Sequence, residues 1–264
     1  MTETNNIVAQ SGRPTVIDKV VNILKAFRPG EASLSLGELA ARTSLPKSSV
    51  HRFASVLVRH NLLVNHGQGH YSLGMGLWEL GSRAVEVRLA LTEIEPYARQ
   101  IAEHCGETCH VGVLDGGEVV YVIRIAGSQS VGVQTRLGQR VPAHCTATGK
   151  AILAWQKPED AVHLLKQPLT RFTANTPATT DELLKELSAT RKRGYSVNFG
   201  AWQADLCGTA APILDRFGIA VASIGVAGPA YRITEERMHE LGQYVRRIAA
   251  EISERFSRGV RRVS

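Results

Sequence analysis

The sequence predicts an α+β protein with two domains, and three observations lead to this prediction. The chain has 264 residues, 44% of them hydrophobic, so it is long enough for two packed cores. Up to about residue 104 apolar residues recur mainly at helical spacing, interrupted by one hairpin pattern. From residue 109 onward, strand-like apolar runs alternate with helical stretches. Antiparallel strands flanked by helices are typical of the α+β class.

The first predicted helix covers residues 16–27, and the Pro29-Gly30 pair ends it. Residues 35–60 follow as two short helices joined by a tight turn. Ser35 and Glu38 have the spacing of a capping box, which marks the start of the first of these helices. Pro46 is predicted as the first residue of the second helix, a position that proline favours.

A hairpin pattern with a glycine-containing turn follows over residues 62–74. Helix, helix and hairpin in this order predict a winged helix-turn-helix, which places its second helix in the major groove of DNA. The outward face of that helix carries hydroxyls and cations, which suit base edges and phosphates. The residues predicted to contact DNA are Lys47, Ser48, Ser49, His51, Arg52, Arg59, His66, Gln68 and His70. The residues at 48, 49, 51 and 52 are expected to contact base edges. The others are expected to contact phosphates or the minor groove.

Charge supports the same interpretation but does not establish it. The first 75 residues hold eight Lys or Arg against four Asp or Glu, within a chain of net charge +7. A local positive excess attracts the phosphate backbone whatever its base sequence. An ordinary solvated surface would show the same balance, so the prediction of DNA binding depends on the helix and hairpin pattern.

The second part of the chain is predicted to begin after a long helix over residues 75–91. The elements expected beyond it are a helix at 95–104 with Pro96 in its first turn, strands at 109–115, 118–125 and 130–135, helices at 147–155, 158–166 and 180–193, strands at 195–199, 206–214 and 219–227, and a last helix at 234–256.

Several other classes of protein are not indicated. No run of about 20 apolar residues suggests a membrane span, and the polar start of the chain lacks the apolar centre of a signal peptide. The four cysteines do not have the spacing of a secreted disulfide framework. We therefore expect a cytoplasmic protein with reduced thiols.

Five residues are of types that can bind zinc or take part in catalysis. These are Cys109, His110, His144, Cys145 and Cys207. Their spacing matches no closed zinc site with paired ligands, so we expect buried thiols and neither metal nor cofactor. The chain also has no nucleophile elbow, phosphate loop or metalloprotease helix, and it is predicted not to be an enzyme.

Several motifs together resemble the isocitrate-lyase-regulator (IclR) family of bacterial transcription factors. In the first domain they are LGELA at 36–40, PKSSVHR at 46–52 and YSLG at 71–74. In the second they are PAHCTATGKAILA at 142–154, RGYSV at 193–197, AAPILD at 210–215 and GP at 228–229. The resemblance covers nearly the whole chain, from about residue 16 to residue 256.

The resemblance implies a winged helix-turn-helix joined by a linker helix to a GAF-like effector domain. The implied limits are a disordered leader at 1–14, the DNA-binding domain at 15–75, the linker helix at 76–92, the effector-binding and oligomerisation domain at 93–257 and a basic tail at 258–264. It also implies a homodimer or a dimer of dimers on a palindromic double-stranded DNA operator, with a small-molecule effector that alters occupancy. The alternative is a small-molecule sensor that acts through protein–protein contacts without a specific operator.

By resemblance, the effector pocket is lined by positions before the Gly149-Lys150 pair and on the last three strands. These positions are Val133, Val141, Ala147, Thr148, Asn198, Gly208, Gly225 and Ala227. Family members that bind very small oxoacids have an acidic residue, a cysteine and two serines at the last four. This chain has small or uncharged residues there, so we expect a larger and more apolar effector, an aromatic carboxylic acid, with Phe199 and Trp202 supplying aromatic surface. The competing interpretation is that Gly225 and Ala227 are simply close-packed strand residues.

Overall fold

The computed structural model describes residues 14–86, 91–165 and 168–259. Contacts between residues divide the chain into two compact units, Met1–Ala84 and Val85–Ser264. The predicted leader lies outside the described residues except for Pro14, and so does the predicted tail except for residues 258 and 259.

The first unit is a helical domain with a small antiparallel sheet. Its elements are α1 (Val16–Lys25), β1 (Leu34–Ser35), α2 (Leu36–Thr43), α3 (Lys47–Arg59), β2 (Leu63–Asn65), β3 (His70–Leu73) and α4 (Met75–Glu86). The sheet has the order β1-β3-β2, so the predicted hairpin is confirmed and the short strand β1 is added to it. The predicted helix-turn-helix with a wing is therefore present.

The helix-turn-helix is fixed by local interactions that the sequence largely specifies. Ser35 Oγ accepts from the Glu38 N–H at 3.2 Å, and Glu38 Oε2 accepts from the Ser35 N–H at 2.8 Å, so the predicted capping box is confirmed. Ser44, in the left-handed region with φ 55°, ends α2. Pro46 is the N-cap of α3 and not its first residue, so that helix begins one position later than predicted. The face of α3 opposite the predicted DNA-contacting residues is buried, and it is formed by Val50, Phe53, Ala54 and Leu57.

The second unit is a six-stranded antiparallel sheet covered by helices on both faces. Its elements are α5 (Leu91–Cys105), β4 (Thr108–Asp115), β5 (Glu118–Ile125), β6 (Arg140–Pro142), a 3₁₀ helix (Ala143–Cys145), α6 (Ala147–Leu153), α7 (Pro158–Leu164), α8 (Thr180–Arg193), β7 (Ser196–Phe199), β8 (Leu206–Leu214), β9 (Ala220–Pro229) and α9 (Glu235–Gly259). The strand order is β6-β5-β4-β9-β8-β7. The predicted α+β class is confirmed.

The two faces of this sheet differ in the size of their side chains. Large apolar residues such as Val111 and Ile224 face α5 and α9 and form the main core. Their neighbours alternate to the other face, where Ala210 packs against Ala147 of α6. A Cβ atom at Gly149 would lie 2.1 Å from the Ala143 carbonyl oxygen, so α6 approaches the 3₁₀ helix closely only because this residue has no side chain. The small residues therefore let α6 lie close to the sheet.

One predicted element is absent, and another begins at a different residue than predicted. The strand expected at residues 130–135 is absent, and β6 pairs with β5 in its place. The reason is that the Arg124 side chain donates to the Val133 carbonyl at 3.2 Å and to Thr135 Oγ1 at 3.3 Å, which holds this segment beside the sheet without strand pairing. Helix α5 begins four residues earlier than predicted, so Pro96 lies inside the helix and deprives the Thr92 carbonyl of its i+4 donor.

The linker helix predicted over residues 76–92 is described only in part. Helix α4 ends at Glu86 and α5 begins at Leu91, and residues 87–90 lie outside the described part of the chain. None of the described helices combines the length and hydropathy required to cross a membrane.

Candidate functional site

The residues predicted to contact DNA lie on one exposed surface of the first unit, formed by α3 and the wing. Eight of the nine are exposed, and Ser49 is half-buried. The N-terminal turn of α3 contains no acidic residue and has no side-chain cap. The Ser49 N–H donates to the Pro46 carbonyl at 2.9 Å, and the N–H groups before it and the positive end of the helix dipole favour a phosphate at this position.

The three cations of α3 on this surface have no carboxylate partner in the part of the chain that the structure describes. Among the described residues, Lys47, Arg52 and Arg59 form no salt bridge, whereas the nearby Arg42 is paired with Glu31. The guanidinium of Arg42 lowers the pKa of the Glu31 carboxyl to about 2. Arg42 therefore has a structural role, while the three cations of α3 remain available for phosphates.

The wing turn has an unusual backbone conformation at Gln68 and its two neighbours. Gly67, Gln68 and Gly69 have φ angles of 83°, 51° and 74°, three consecutive residues in the left-handed region. The turn is closed by the His70 N–H, which donates to the Gly67 carbonyl at 3.0 Å. His66 Nε2 lies 2.8 Å from Ser72 Oγ. This geometry places the three predicted wing contacts, at 66, 68 and 70, around one exposed turn.

Most of the predicted effector-pocket residues surround one cavity between α6 and the sheet. The six that line it are Ala147, Thr148, Asn198, Gly208, Gly225 and Ala227. The structure does not bring the other two to it. Val133 lines a neighbouring cavity of about 360 Å³ that also contains Arg124, and Val141 is buried in the core beside Val119.

The cavity is smaller than the sequence led us to expect. Its volume is about 30 Å³, which is room for about one water molecule. A Cβ atom at Gly225 would lie 2.4 Å from the Thr209 carbonyl oxygen, and one at Gly208 would lie 2.5 Å from the Val226 carbonyl oxygen. The expectation that these glycines provide extra space is therefore wrong, because the neighbouring strand already occupies it.

The cavity wall contains two buried titratable side chains that remain neutral. Burial, together with the nearby Arg124 guanidinium, lowers the pKa of His110 to about 3. Burial raises the pKa of Tyr121 to about 12. The two rings lie 4.4 Å apart between their centroids. At neutral pH they offer hydrogen-bonding groups without charge.

Two further polar side chains in the wall have unused hydrogen-bonding capacity. Thr148 Oγ1 is buried and makes no hydrogen bond of normal geometry among the described residues, although it interacts with the Tyr121 phenol and partly offsets the rise in the pKa of that group. Asn198 Oδ1 accepts from the Ala201 N–H at 3.2 Å, which leaves its amide nitrogen as a donor. Thr146, by contrast, is fully engaged, since its hydroxyl donates to the Pro142 carbonyl at 2.8 Å and accepts from the Gly149 N–H at 3.3 Å.

His110, Tyr121 and Thr146 line the cavity but were not predicted to do so. The isolated histidine in the apolar run of β4 was a visible signal, which we considered only as a possible metal ligand. Tyr121 could not be found from the sequence, because a β-bulge between Val111 and Gly112 sets which residues of β4 and β5 face each other.

The four cysteines are protonated thiols and are not grouped as metal ligands. Burial raises the pKa of Cys145 to about 12 and also raises the pKa of Cys105, Cys109 and Cys207. Within residues 14–86, 91–165 and 168–259, no three His, Cys, Asp or Glu side chains are grouped as metal ligands would be. Thiols with raised pKa values are poor nucleophiles, because the thiolate is the reactive form.

Comparison with known proteins identifies relatives over nearly the whole chain. The family model described as "IclR helix-turn-helix domain" matches residues 16–67, and "Bacterial transcriptional regulator IclR C-terminal" matches residues 83–254. The transcriptional regulator KdgR of Dickeya chrysanthemi is 31% identical over 240 residues, which is 90% of this chain and 78% of the relative.

Two solved structures extend the likeness to the fold. A transcriptional regulator from Rhodococcus sp. RHA1 matches with a TM-score of 0.80 and 27% identity, covering 92% of this chain and 98% of the other. An IclR homologue from Microbacterium hydrocarbonoxydans, solved in complex with 4-hydroxybenzoate, matches with a TM-score of 0.79 and 26% identity, covering 92% of this chain and 99% of the other.

Proposed function

The chain belongs to the IclR family of bacterial transcriptional regulators and is therefore a DNA-binding, ligand-responsive regulator; we propose that it controls a catabolic operon in response to a small aromatic carboxylic acid. We further propose that it acts as a homodimer or a dimer of dimers on a palindromic operator. The direction of regulation is left open by this proposal.

DNA binding is assigned to α3 and the wing. The exposed Ser48, His51 and Arg52 suit base edges, and Lys47 and Arg59 suit phosphates. The support is that the cations of α3 have no carboxylate partner among the described residues, while Arg42, on the neighbouring helix, is engaged by Glu31.

The observation that best supports the effector assignment is the buried Thr148 hydroxyl in the cavity wall, which makes no hydrogen bond of normal geometry among the described residues and has only the Tyr121 phenol as a weak partner. A buried hydroxyl without a partner costs about 1–3 kcal/mol, and a ligand with a polar group would recover that cost. The Asn198 amide is a second donor. The remaining wall is apolar and aromatic, with Trp202 and Leu206 among its residues. These surroundings fit a molecule with one polar end and a flat apolar body.

An aromatic acid does not fit a cavity of about 30 Å³, so binding requires the wall to move. We assign this movement to Trp202. It is half-buried and lies in the loop between β7 and β8, outside both strands. Its displacement would enlarge the cavity without separating the strands. Binding would then favour one conformation of the domain over another.

The effector class is tested by thermal-shift screening of the purified protein with benzoate, 4-hydroxybenzoate and phenylacetate, compared with pyruvate and glyoxylate. A ligand that binds only the folded state raises the melting temperature. We expect stabilisation by an aromatic acid and a change in tryptophan fluorescence that is lost in Trp202→Phe. Stabilisation only by the two oxoacids would overturn the aromatic assignment.

The pocket wall is tested by Ala227→Ser, since this half-buried residue already carries a Cβ atom and tolerates a small addition. The added hydroxyl should weaken binding of an aromatic acid severalfold, while unchanged affinity would mean that the wall is misplaced.

Operator binding is tested by selecting sites from random double-stranded DNA and measuring affinity at two salt concentrations. A specific regulator should select one palindrome and lose affinity steeply with salt. Absence of any preferred sequence would favour the alternative in which the helical domain contacts proteins.

A further inference from the structure

A third cavity lies beside the edge strand β7, between α6 and α8, and has a volume of about 340 Å³. Lys150 of α6, Glu186 and Arg193 of α8, and Val197 and Phe199 of β7 all line it. It shares no lining residue with the candidate effector cavity. Successive residues of a strand face opposite sides, so Asn198 of the same strand faces the effector cavity. The two cavities are therefore separate neighbours that share two structural elements.

Lys150 provides a buried positive charge at this cavity. Its side chain is only 5% exposed, and its Nζ lies 2.7 Å from Glu186 Oε2. An ammonium group carries three N–H donors, and this is its one hydrogen bond among the described residues. Burial of a charge is costly unless it is paired and hydrogen-bonded. Two donors of Lys150 therefore remain available at the cavity.

Arg193 provides a second cation with unused donors. Its Nε is buried and has no hydrogen-bond partner among the described residues, where its guanidinium also forms no salt bridge. Its guanidinium carbon lies 5.7 Å from the centroid of the Tyr195 ring. With two cations and one carboxylate, the three charged groups that line the cavity have a net charge of +1.

We propose that this cavity binds a small oxyanion, a carboxylate or a phosphate, between Lys150 and Arg193. A guanidinium presents paired N–H donors that match two oxygens of such a group, and an ammonium adds a point charge. Val197 and Phe199 form an apolar wall that suits a carbon chain attached to the anion. The two cavities share no lining residue, so the site is independent of the effector cavity. Phe199, which was expected from the sequence to supply aromatic surface to the effector, lines this cavity and not the effector cavity.

The test is a titration of the full-length protein with inorganic phosphate or with acetate. The tested anion replaces chloride so that the ionic strength stays constant. Apparent affinity is taken from the concentration dependence of the melting temperature. We expect saturable binding of at least one anion, and its identity separates a phosphate site from a carboxylate site. Arg193→Gln should weaken that binding about tenfold, and the matched variant of the exposed neighbour, Lys192→Gln, should not.

Glu186→Gln gives an expected result of opposite sign. It removes the carboxylate that competes for Lys150, so the affinity for the anion should rise. Lys185→Gln, at an exposed position of α8 outside the cavity, should leave anion binding unchanged. The proposal is overturned if neither anion saturates, or if Arg193→Gln and Lys192→Gln bind equally well.

Discussion

His110 and Thr135 share a buried hydrogen bond between Nε2 and Oγ1, which joins β4 to the segment between β5 and β6. His110 lines the candidate effector cavity, and Thr135 lines the neighbouring cavity that contains Arg124. One imidazole side chain therefore connects the walls of two cavities. Its protonation state affects both of them.

Stability should fall in acid because of His110. Its pKa is about 3 in the folded protein and about 6.5 in the unfolded chain. Below pH 6.5 the unfolded chain takes up a proton on this histidine before the folded protein does. The free energy of unfolding is therefore highest above pH 6.5 and falls progressively towards pH 3. The slope contributed by this one group is at most about 1.4 kcal/mol per pH unit.

Urea denaturation between pH 7.5 and pH 4.5 measures this slope. Replacement of His110 by Gln should make the pH dependence shallower by about one proton, whereas His163→Gln, at an exposed position, should not. The lowered pKa of His144 acts in the same direction and remains in both variants. Equal slopes in both variants would contradict the assignment of this proton to His110.

Thr146 and Thr148 both line the effector cavity and are two residues apart. Their replacement by valine should change the stability of the protein in opposite directions. Thr148→Val removes a buried hydroxyl whose one polar contact, with the Tyr121 phenol, falls short of normal hydrogen-bond geometry, so the unliganded protein should gain up to about 1 kcal/mol while effector affinity falls. Thr146→Val removes the N-cap of α6 and should cost about 1 kcal/mol. Chemical denaturation of both variants checks the signs. A loss of stability in Thr148→Val would show that its hydroxyl is satisfied in solution.

Operator recognition should depend on Arg52. Its replacement by alanine should weaken operator binding by about 1–3 kcal/mol. Fluorescence anisotropy with the selected operator at fixed salt gives this value. Lys25→Ala is the control, since Lys25 is an exposed cation on α1 and not on α3. If both variants lose the same affinity, Arg52 contributes to operator binding only through non-specific attraction of its charge to the phosphate backbone.

Serine at position 225 should destabilise the fold and not reshape the pocket. A Cβ atom there would lie 2.4 Å from the Thr209 carbonyl oxygen and 2.5 Å from the Ala210 Cβ. We expect a loss of about 1–3 kcal/mol from overpacking. Thermal denaturation of Gly225→Ser beside Ala227→Ser checks this. Equal melting temperatures would mean that β8 and β9 can move apart at no cost.

Local signals were enough to predict much of the fold. Helix α8 and strand β8 have the predicted bounds, Thr180–Arg193 and Leu206–Leu214. The helix has a threonine N-cap and ends at Gly194, which has φ 86°. The strand β8 is an almost continuous apolar run between two polar segments. Such features depend only on neighbouring residues, so they are visible in the sequence.

Features that depend on distant contacts could not be predicted. The segment at 130–135 has strand-forming residues, but Arg124 binds its polar groups and it does not pair. The presence of Tyr121 in the cavity depends on the pairing of β4 with β5. The size of the cavity depends on how closely β8 and β9 approach at Gly208 and Gly225.

This close approach at Gly208 and Gly225 also restricts how the protein can acquire a new ligand preference. Substitutions at the two glycines lose stability before they alter recognition, so selection removes them early. Trp202 and Ala227 are half-buried and lie in the same wall. Divergence of specificity among descendants that keep this spacing of β8 and β9 should therefore accumulate at those two positions, whereas the side chains that other family members have at 208 and 225 require the two strands to shift.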